Sequence, residues 1–337
     1  MICSNLEIKN GVLFFGGRNT VELAEKYGTP IYVMDEKTIR KNCRTYLDAM
    51  KKYFGENARP FYASKACSFK KIYNIVGSEG MGVDVVSVGE IYTAKMSGYD
   101  MKNVCFHSNS KNDYDISFAI DNGVGCFVVD NLEELEAIDS YAGEKGINQK
   151  ILFRVTPGID THTYEAVNTG KVDSKFGFPI ETGAAMEITK IALTKKNIDL
   201  AGFHCHIGSQ IFESEPFITA GDMMFEFLAE VEKSLGFTAE ILNLGGGFGV
   251  KYTEDDPEID YEEKICEIAE VLNKRDGRKA QENEDLKIAN YLHVQELEEM
   301  EPRQPSTFSY EEKMENSGEE IPENYQACVE EENDRFT

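Results

Sequence analysis

The stretch FYASKACSFKKIYNIVGSEGMGVDVVSVGEIYTAKMSG, residues 61–98, decides the fold class of this chain. It contains two short apolar runs, Phe61–Ser64 and Val83–Ser87, which predict β-strands. Each run is followed by a segment with helical apolar spacing, Phe69–Val76 after the first and Val88–Lys95 after the second. Strands that are apolar throughout and are joined by crossover helices are typical of a parallel sheet covered on both faces.

The same alternation of strand and helix continues over the first 253 residues. Further predicted strands are Ile31–Met34, Val104–His107, Cys126–Val129, Ile151–Val155, Gly202–Ile207 and Ile241–Leu244, and further helices are Asn112–Asp121 and Leu132–Tyr141. Such a chain can form an open doubly wound sheet or a (β/α)8 barrel. Polar residues or glycines follow almost every strand, whereas a doubly wound sheet needs them after only one or two. We therefore expect an α/β fold of the (β/α)8 TIM-barrel type.

The charge of the chain is unevenly distributed. The formal net charge is −25, and residues 254–337 carry 27 acidic and 9 basic residues against 33 and 26 in the first 253. An acidic surface repels phosphate backbones and anionic lipids, which argues against nucleic-acid and membrane binding. The acidic segment is predicted to hold one helix at Tyr261–Asn273 and a strand or a helix at Leu286–Val294. From Gln295 onward the composition predicts solvated or disordered chain.

Three segments follow from these patterns: an N-terminal strand segment at residues 1–30, a barrel at 31–253 and an acidic tail at 254–337. Eight cysteines at irregular spacing, without a CxxC pair, predict reduced thiols rather than disulfides or a metal site. The first ten residues lack the pattern of a signal peptide, and no apolar run reaches the roughly 18 residues needed to span a bilayer. We therefore expect a soluble, cytoplasmic protein.

Lys65 lies in FYASKA, residues 61–66, at the carboxyl end of an apolar strand. A lysine that is partly desolvated there becomes available as an amine nucleophile for a Schiff base. The alternative is an ordinary surface lysine at the end of a strand.

A glycine-rich run, GGGFG at residues 245–249, follows the strand Ile241–Leu244. Its first members, Gly245, Gly246 and Gly247, allow backbone N–H groups to converge on an anion without obstruction by Cβ atoms. The run fits neither a P-loop nor a dinucleotide fingerprint, so we regard it as a candidate phosphate cradle. The alternative is a tight turn at the rim of the barrel.

The segment HCHIGS, residues 204–209, ends another strand. His204 and His206 alternate with a cysteine and so point to one face, which makes a metal site conceivable. No third histidine or group of carboxylates supports that interpretation. The preferred interpretation is one imidazole stacked on a flat ligand, with Ser209 and the loop amides contacting a phosphate. The alternative is a hydrogen-bonded core histidine.

Four charged residues are weaker signals on their own. Arg154 and Asp84 lie inside apolar strands, where each needs a buried partner. Glu90 falls in the first turn of a helix, where a solvated side chain is the alternative, and Lys175 is most simply a loop cation. A lysine, a glycine cradle, a stacking histidine and an arginine at the strand ends of one barrel together indicate a pyridoxal-phosphate site.

Much of the first 253 residues resembles the diaminopimelate decarboxylases, pyridoxal-phosphate enzymes with an alanine-racemase-like barrel. The matching segments include FYASKACSFKKI, GVDVVSVGEIYTAKMSG, FHSNSKN, FRVTPGIDTHTYEAVNTGKVDSKFGF, GFHCHIGSQI and LNLGGGFGVKY. HCHIGSQI and TGKVDSKFG favour this family over the ornithine and arginine decarboxylases that share the barrel. The resemblance implies pyridoxal 5′-phosphate as cofactor, a homodimer, and decarboxylation of meso-2,6-diaminopimelate to L-lysine and CO2.

Carried over to this sequence, the resemblance makes Lys65 the Schiff-base lysine and His206 the ring that stacks on the pyridine. It implies that the phosphate is held by Ser209, Gly245, Gly246 and Gly247. It further implies a polar layer behind the cofactor that consists of Asp84, Glu90 and Arg154.

Two features of that family have no counterpart in this sequence. A Glu-Pro-Gly-Arg segment ends the family's last barrel strand, whereas Glu301–Arg303 reads EPR and lacks both the Gly and a preceding apolar strand. The family's β-domain, with its Cys-Glu-Ser-Gly-Asp motif, has no match in the last 84 residues, so Leu6–Phe15 is left as an unpaired edge or lies against the tail. Seven barrel strands are thus assigned from Phe61 onward, and Leu286–Val294 is the candidate for the eighth. Alternative functions are a catalytically impaired barrel that regulates an intact decarboxylase, or a truncated product without function.

Overall fold

The computed structural model describes residues 5–159, 176–276 and 287–292, with side chains for residues 5–159 and 176–273. Lys175, Glu301–Arg303 and the segment predicted to be solvated from Gln295 onward lie outside the described residues.

The N-terminal segment folds back on itself. Strands β1 (Leu6–Lys9) and β2 (Val12–Phe15) pair antiparallel across a turn at Asn10 and Gly11, whose φ values are +53° and +80°. Asn-Gly is typical of such two-residue hairpin turns because both positions require positive φ. A short strand, β3 (Arg18–Asn19), pairs with β2. The stretch Leu6–Phe15 is therefore a hairpin within a small sheet rather than an unpaired edge.

Parallel strands form a closed barrel. The strands after β3 are β4 (Phe61–Ala63), β5 (Gly82–Val85), β6 (Val104–Phe106), β7 (Cys126–Val129), β8 (Gln149–Thr156), β9 (Phe178–Pro179), β10 (Ile198–His204), β11 (Ile241–Gly245) and β12 (Lys287–Leu292). All except β9 belong to the ring, in which each strand pairs with the next and β12 pairs with β4. The short β9 pairs beside the end of β8. The predicted (β/α)8 barrel is confirmed.

The eighth strand of the ring is β12, which lies within the candidate segment Leu286–Val294. It pairs in parallel with β11 on one side and with β4 on the other. A strand in this position covers the backbone edges that β11 and β4 otherwise leave open, and so it closes the barrel. Of the two alternatives for this segment, the strand is the one observed.

The strand predicted at Ile31–Met34 is wrong. These residues form an irregular connection that ends at Asp35, the N-cap of the following helix. Tyr32 is 91% exposed, whereas Met34 is buried. The physical reason is that the ring is already complete with eight strands, so a run of apolar residues before β4 finds no open edge to pair with.

Helices cover the outside of the barrel. Helix α1 (Thr20–Tyr27) instead packs against β2 and β3. The helices on the barrel are α2 (Glu36–Phe54), α3 (Lys70–Glu79), α4 (Val88–Met96), α5 (Asp113–Asp121), α6 (Leu132–Lys145), α7 (Ala184–Ala192), α8 (Glu215–Leu235) and α9 (Tyr261–Asp276). The main core lies between α2–α9 and the outer face of the strands, and a smaller cluster fills the barrel interior. Among the described residues, no helix combines the length and the apolar character needed to cross a membrane.

Helix α9, predicted at Tyr261–Asn273, belongs to this outer layer. Ile265, Ile268 and Leu272 are buried in the main core. The helix is also held to α2 by Lys52, whose Nζ lies 2.8 Å from a carboxylate oxygen of Glu262. Helix α9 and strand β12, which both follow residue 254, therefore belong to the barrel. A separate acidic tail stays a prediction for residues 293–337, which the structure does not describe.

Candidate active site

Lys65 stands at the carboxyl rim of the barrel, in a 3-10 turn (Ser64–Ala66) that directly follows β4. The residue is exposed in this structure rather than partly desolvated. The reason is that the turn carries Lys65 beyond the last ladder position of β4, whereas its neighbour Ser64 remains fully buried. An exposed amine at this rim is directly accessible to a ligand that enters the mouth of the barrel.

Glu90 turns towards the barrel, so the solvated alternative is not observed. Its Oε2 accepts a hydrogen bond from the backbone N–H of Val86 at 2.6 Å and lies 2.8 Å from the Ser64 hydroxyl. Burial raises the pKa of Glu90, and these two donors together with the Lys65 ammonium oppose that rise. Glu90 thereby connects the first turn of α4 to the turn that carries Lys65.

Asp84 lies inside the barrel next to a histidine that sequence reasoning did not select. The Nε2 atom of His107 is 3.1 Å from Oδ1 of Asp84, and the ring of His107 meets that of His204 edge-on, with 4.8 Å between the ring centroids. Burial raises the pKa of Asp84 and lowers those of His107 and His204. All three groups therefore favour their uncharged forms, which suits a site closed off from water.

Arg154 adds a permanently charged guanidinium to this polar layer. It lies opposite His204 in the register of β8 and β10. Its Nε atom is 4.0 Å from Oδ1 of Asp130, and its guanidinium lies 4.2 Å from the centroid of the Phe176 ring, within cation–π range. Burial raises the pKa of Asp130, and the charge of Arg154 opposes this. The sequence analysis expected a buried partner for Arg154, and Asp130 is that partner.

The glycine run lies against the loop that follows β10. Gly245 and Gly247 have φ values of +71° and +113°, which side chains rarely adopt. A Cβ atom on Gly247 would lie 1.9 Å from the carbonyl oxygen of Gly208. The N–H of Gly246 donates to Nδ1 of His206 at 3.4 Å. Side chains at Gly245 and Gly247 would therefore push the two loops apart, and the imidazole of His206 lies beside the run.

Ser209 lies at the same contact between the two loops. Its Cα atom is 3.4 Å from the place where a Cβ on Gly247 would stand. The loops are bridged further by Ile211, whose N–H donates to the Gly247 carbonyl and whose carbonyl accepts the Gly249 N–H, both at 2.9 Å. Because β10 ends at His204, His206 lies in this loop rather than in the predicted strand Gly202–Ile207, and Ser209 follows it in the same loop.

A second buried network, which sequence reasoning missed, supports the rim from below. The ammonium of Lys111, with no exposed side-chain surface, lies 3.0 Å from Oε2 of Glu134 and donates to the carbonyls of Ser108 and Val128 at 2.7 and 2.9 Å. The same Glu134 oxygen accepts the N–H of Asp130 at 2.9 Å. Lys111 thereby holds the ends of β6 and β7 and the start of α6 together.

The residues that were missed carry only weak sequence signals. Ser64 and His107 directly follow strand ends, the position that indicated the other candidates, whereas Lys111 lies at the end of the loop between β6 and α5. Nothing local separates them from loop residues, because their burial depends on neighbouring strands. Within the part of the chain that has described side chains, no group of three or more His, Cys, Asp or Glu is placed to hold a metal ion.

A parallel eight-stranded barrel with its polar groups collected at the carboxyl rim places the protein in the TIM-barrel fold class. Comparison with known families makes the class more specific. Residues 36–290 match the sequence model of "Pyridoxal-dependent decarboxylase, pyridoxal binding domain". The chain belongs to this family.

Curated relatives and solved structures agree with this assignment. The chain is 42% identical over 267 residues to the diaminopimelate decarboxylase of Bacillus methanolicus and 39% identical over 270 residues to that of Bacillus subtilis (strain 168). These matches cover 79% and 80% of this chain but 62% and 61% of the relatives. A structure of the Methanocaldococcus jannaschii diaminopimelate decarboxylase in complex with L-lysine superposes with a TM-score of 0.77 at 34% identity, covering 86% of this chain and 66% of the other. The chain thus spans about three fifths of the length of the curated relatives.

The described residues fit the cofactor of this family. An amine at Lys65 suits an aldehyde carbon, and the imidazole of His206 stands beside the glycine cradle. The glycine run lacks Cβ atoms, so its backbone N–H groups are open to a phosphate, and Gly247 packs directly on Gly208 of the loop that carries Ser209.

Proposed function

We propose that this chain forms the cofactor-binding barrel of a pyridoxal-phosphate-dependent carboxy-lyase that converts meso-2,6-diaminopimelate to L-lysine and CO2. The observation that carries the proposal is that Lys65, His206 and the glycine cradle occupy one rim of one barrel. The names of the relatives support the substrate. Because the chain spans about three fifths of their length, its activity and substrate remain proposals.

The loops at the rim have separate tasks in this proposal. Lys65 offers its exposed amine to the aldehyde of the cofactor, and His206 packs on the face of the pyridine ring. Ser209 and the N–H groups of Gly245–Gly247 hold the phosphate. When bound, pyridoxal phosphate supplies an electron-withdrawing ring that takes up the electron pair left behind as CO2 departs.

The buried layer beneath the rim orients these groups. Glu90 holds the turn of Lys65 through Ser64, and burial raises the pKa of Asp84 and lowers that of the neighbouring His107. A carboxylic acid that keeps its proton can donate a hydrogen bond to a ligand. Arg154, braced by Asp130, supplies the positive charge of the layer.

We further propose a homodimer and a cytoplasmic location. The dimer follows from the family resemblance. The location is supported by the six described cysteines, all of which are thiols rather than disulfides.

The test is a visible absorption spectrum of the purified chain with pyridoxal phosphate, followed by titration with meso-diaminopimelate and assay of L-lysine. We expect a Schiff-base band in the native chain and its loss in Lys65→Ala. Lys70→Ala, which removes another exposed lysine at the start of α3, is the matched control and should keep the band.

Each outcome decides between the candidate functions. A Lys65-dependent band that shifts with diaminopimelate while lysine accumulates supports the decarboxylase. A Lys65-dependent band that ignores diaminopimelate indicates an impaired barrel that binds cofactor and acts as a partner or regulator. The absence of a band in a folded chain overturns the cofactor assignment.

A further inference from the structure

Two cysteines lie side by side inside the barrel, at the end opposite the candidate active site. Cys105 of β6 and Cys126 of β7 are direct partners in the register of the two parallel strands. Cys105 belongs to the interior cluster, and Cys126 packs against that cluster. Both side chains therefore face the interior, since laterally paired residues of neighbouring strands point to the same side of a sheet.

A cavity of about 560 Å³ reaches both cysteines from the amino end of the barrel. Its described lining includes Cys105, Cys126, Leu152 and Ile241 at the inner end and the exposed residues Asp48, Lys51 and Arg59 at the outer end. Cys126 is itself partly exposed, whereas Cys105 is 3% exposed. Among the residues that the structure describes, nothing separates this cavity from solvent, so it offers a small molecule a route to the two sulfurs that does not pass through the carboxyl rim.

The spacing of the two residues suits a ligand that bonds two sulfurs at once. Paired Cα atoms on neighbouring strands stand about 4.7–4.9 Å apart, within the roughly 4.4–6.8 Å found for disulfide-bonded cysteines, so the two sulfurs can come close enough to share one ligand atom. Thiolates are soft ligands and prefer soft partners. The remaining inner lining is largely apolar, which suits an organic substituent on such a ligand.

We propose that Cys105 and Cys126 form a dithiol site that takes trivalent organoarsenicals through the amino-terminal cavity. The reaction with an arsine oxide is a condensation: two As–S bonds form, both thiol protons pass to the arsenical oxygen, and water leaves. The oxidation state of arsenic and sulfur does not change. The proposal does not depend on the function assigned to the opposite rim.

The proposed dithiol site lies next to Asp84, a residue of the candidate active site. Cys105 pairs laterally with Asp84 of β5, so Asp84, Cys105 and Cys126 form one row across three strands. A ligand on the two sulfurs therefore stands next to the polar layer, although it enters from the opposite end.

Phenylarsine oxide is the probe for the test. We expect one equivalent to bind per chain, with release by excess 2,3-dimercaptopropanol but not by an equal concentration of a monothiol. Cys105→Ser and Cys126→Ser should each weaken binding by about 100-fold, because loss of one bond removes the gain from a second, intramolecular attachment. Cys67→Ser and Cys266→Ser, which change other partly exposed cysteines, are the matched controls and should bind as the native chain does.

A second measurement avoids the variants. In the native chain, bound phenylarsine oxide should protect Cys105 and Cys126 together from alkylation by iodoacetamide, as mapped by peptide mass spectrometry. Protection of any other cysteine pair, or tight binding that survives Cys126→Ser, overturns the proposal.

Discussion

His107 and Asp84 meet inside the barrel as a buried acid–imidazole pair, with 3.1 Å between Nε2 and Oδ1. Both side chains are at most 10% exposed. Burial is the main influence on each pKa, and it disfavours the charged form of both groups. The pair therefore supplies hydrogen-bonding groups beneath the rim, in surroundings that disfavour both the Asp84 carboxylate and the His107 imidazolium.

Acid should destabilise the protein through His107 and His204. Burial lowers both pKa values, and Arg154 lowers them further. Below about pH 6.5 the unfolded histidines bind protons while the native ones do not, so the free energy of unfolding falls as the pH drops, by up to about 1.4 kcal/mol per pH unit for each histidine. Urea unfolding at pH 7.5 and 5.5 measures the net fall, to which Asp84 contributes in the opposite direction because burial raises its pKa. Comparison with a histidine variant isolates the histidine contribution. His204→Gln should reduce it, and an unchanged fall in that variant would contradict the argument.

Loss of the buried ammonium of Lys111 should destabilise the barrel strongly. Lys111→Met leaves Glu134, whose side chain is 2% exposed, without its cation, and we expect a cost of about 3–5 kcal/mol in the free energy of unfolding. The double variant Lys111→Met/Glu134→Gln should recover part of this cost, because it removes the stranded charge.

The control for that measurement is the ion pair of Lys145 and Asp121, with side chains 43% and 45% exposed. Lys145→Met should change the urea midpoint little, since solvent screens such pairs. Equal effects of the two lysine variants would show that burial is not the cause.

The close approach at Gly247 should make that position intolerant of any side chain. In Gly247→Ala the Cβ meets the Gly208 carbonyl oxygen at 1.9 Å, so the two loops must separate. We expect a loss of about 3 kcal/mol in unfolding free energy and weaker binding of pyridoxal phosphate. Gly236→Ala is the control: its φ is also positive, +67°, but nothing lies within 4 Å of the new Cβ. It should cost about 1 kcal/mol and leave cofactor binding unchanged.

Removal of β12 should open the barrel. A chain that ends at residue 286 lacks the strand that pairs with β11 and β4, and so exposes two backbone edges. We expect it to aggregate or to lose its cooperative urea transition, whereas a chain that ends at residue 294 should keep the transition. If both chains unfold alike, β12 does not close the ring in solution.

The strand–helix order and the rim residues could be predicted from short stretches of sequence. Strands such as Cys126–Val129 are apolar runs of the right length, and helices such as Leu132–Lys145 begin at a capping Asn131. Lys65 and the glycine run were found because they directly follow such strands. Their roles as cofactor ligands remain predictions.

Other features depended on contacts between distant parts of the chain. Ile31–Met34 has the composition of a strand but no open edge to pair with, while Lys287–Leu292 lies in an acidic segment and yet completes the ring. Neither the missing strand at 31–34 nor the strand at 287–292 can be predicted from composition, because strand pairing depends on which sheet edges are still open in three dimensions.

By itself, the sequence determined the fold class and the positions along the chain from which a site can be built, since apolar periodicity and glycine runs are local properties. Only the tertiary structure decided which strand closes the barrel, that Glu90 turns inward while Lys65 is exposed at the rim, and that His107 stands against Asp84. The physical reason is that burial and strand register depend on residues far apart in the chain. The same register set Cys105 beside Cys126, which are 21 positions apart in sequence.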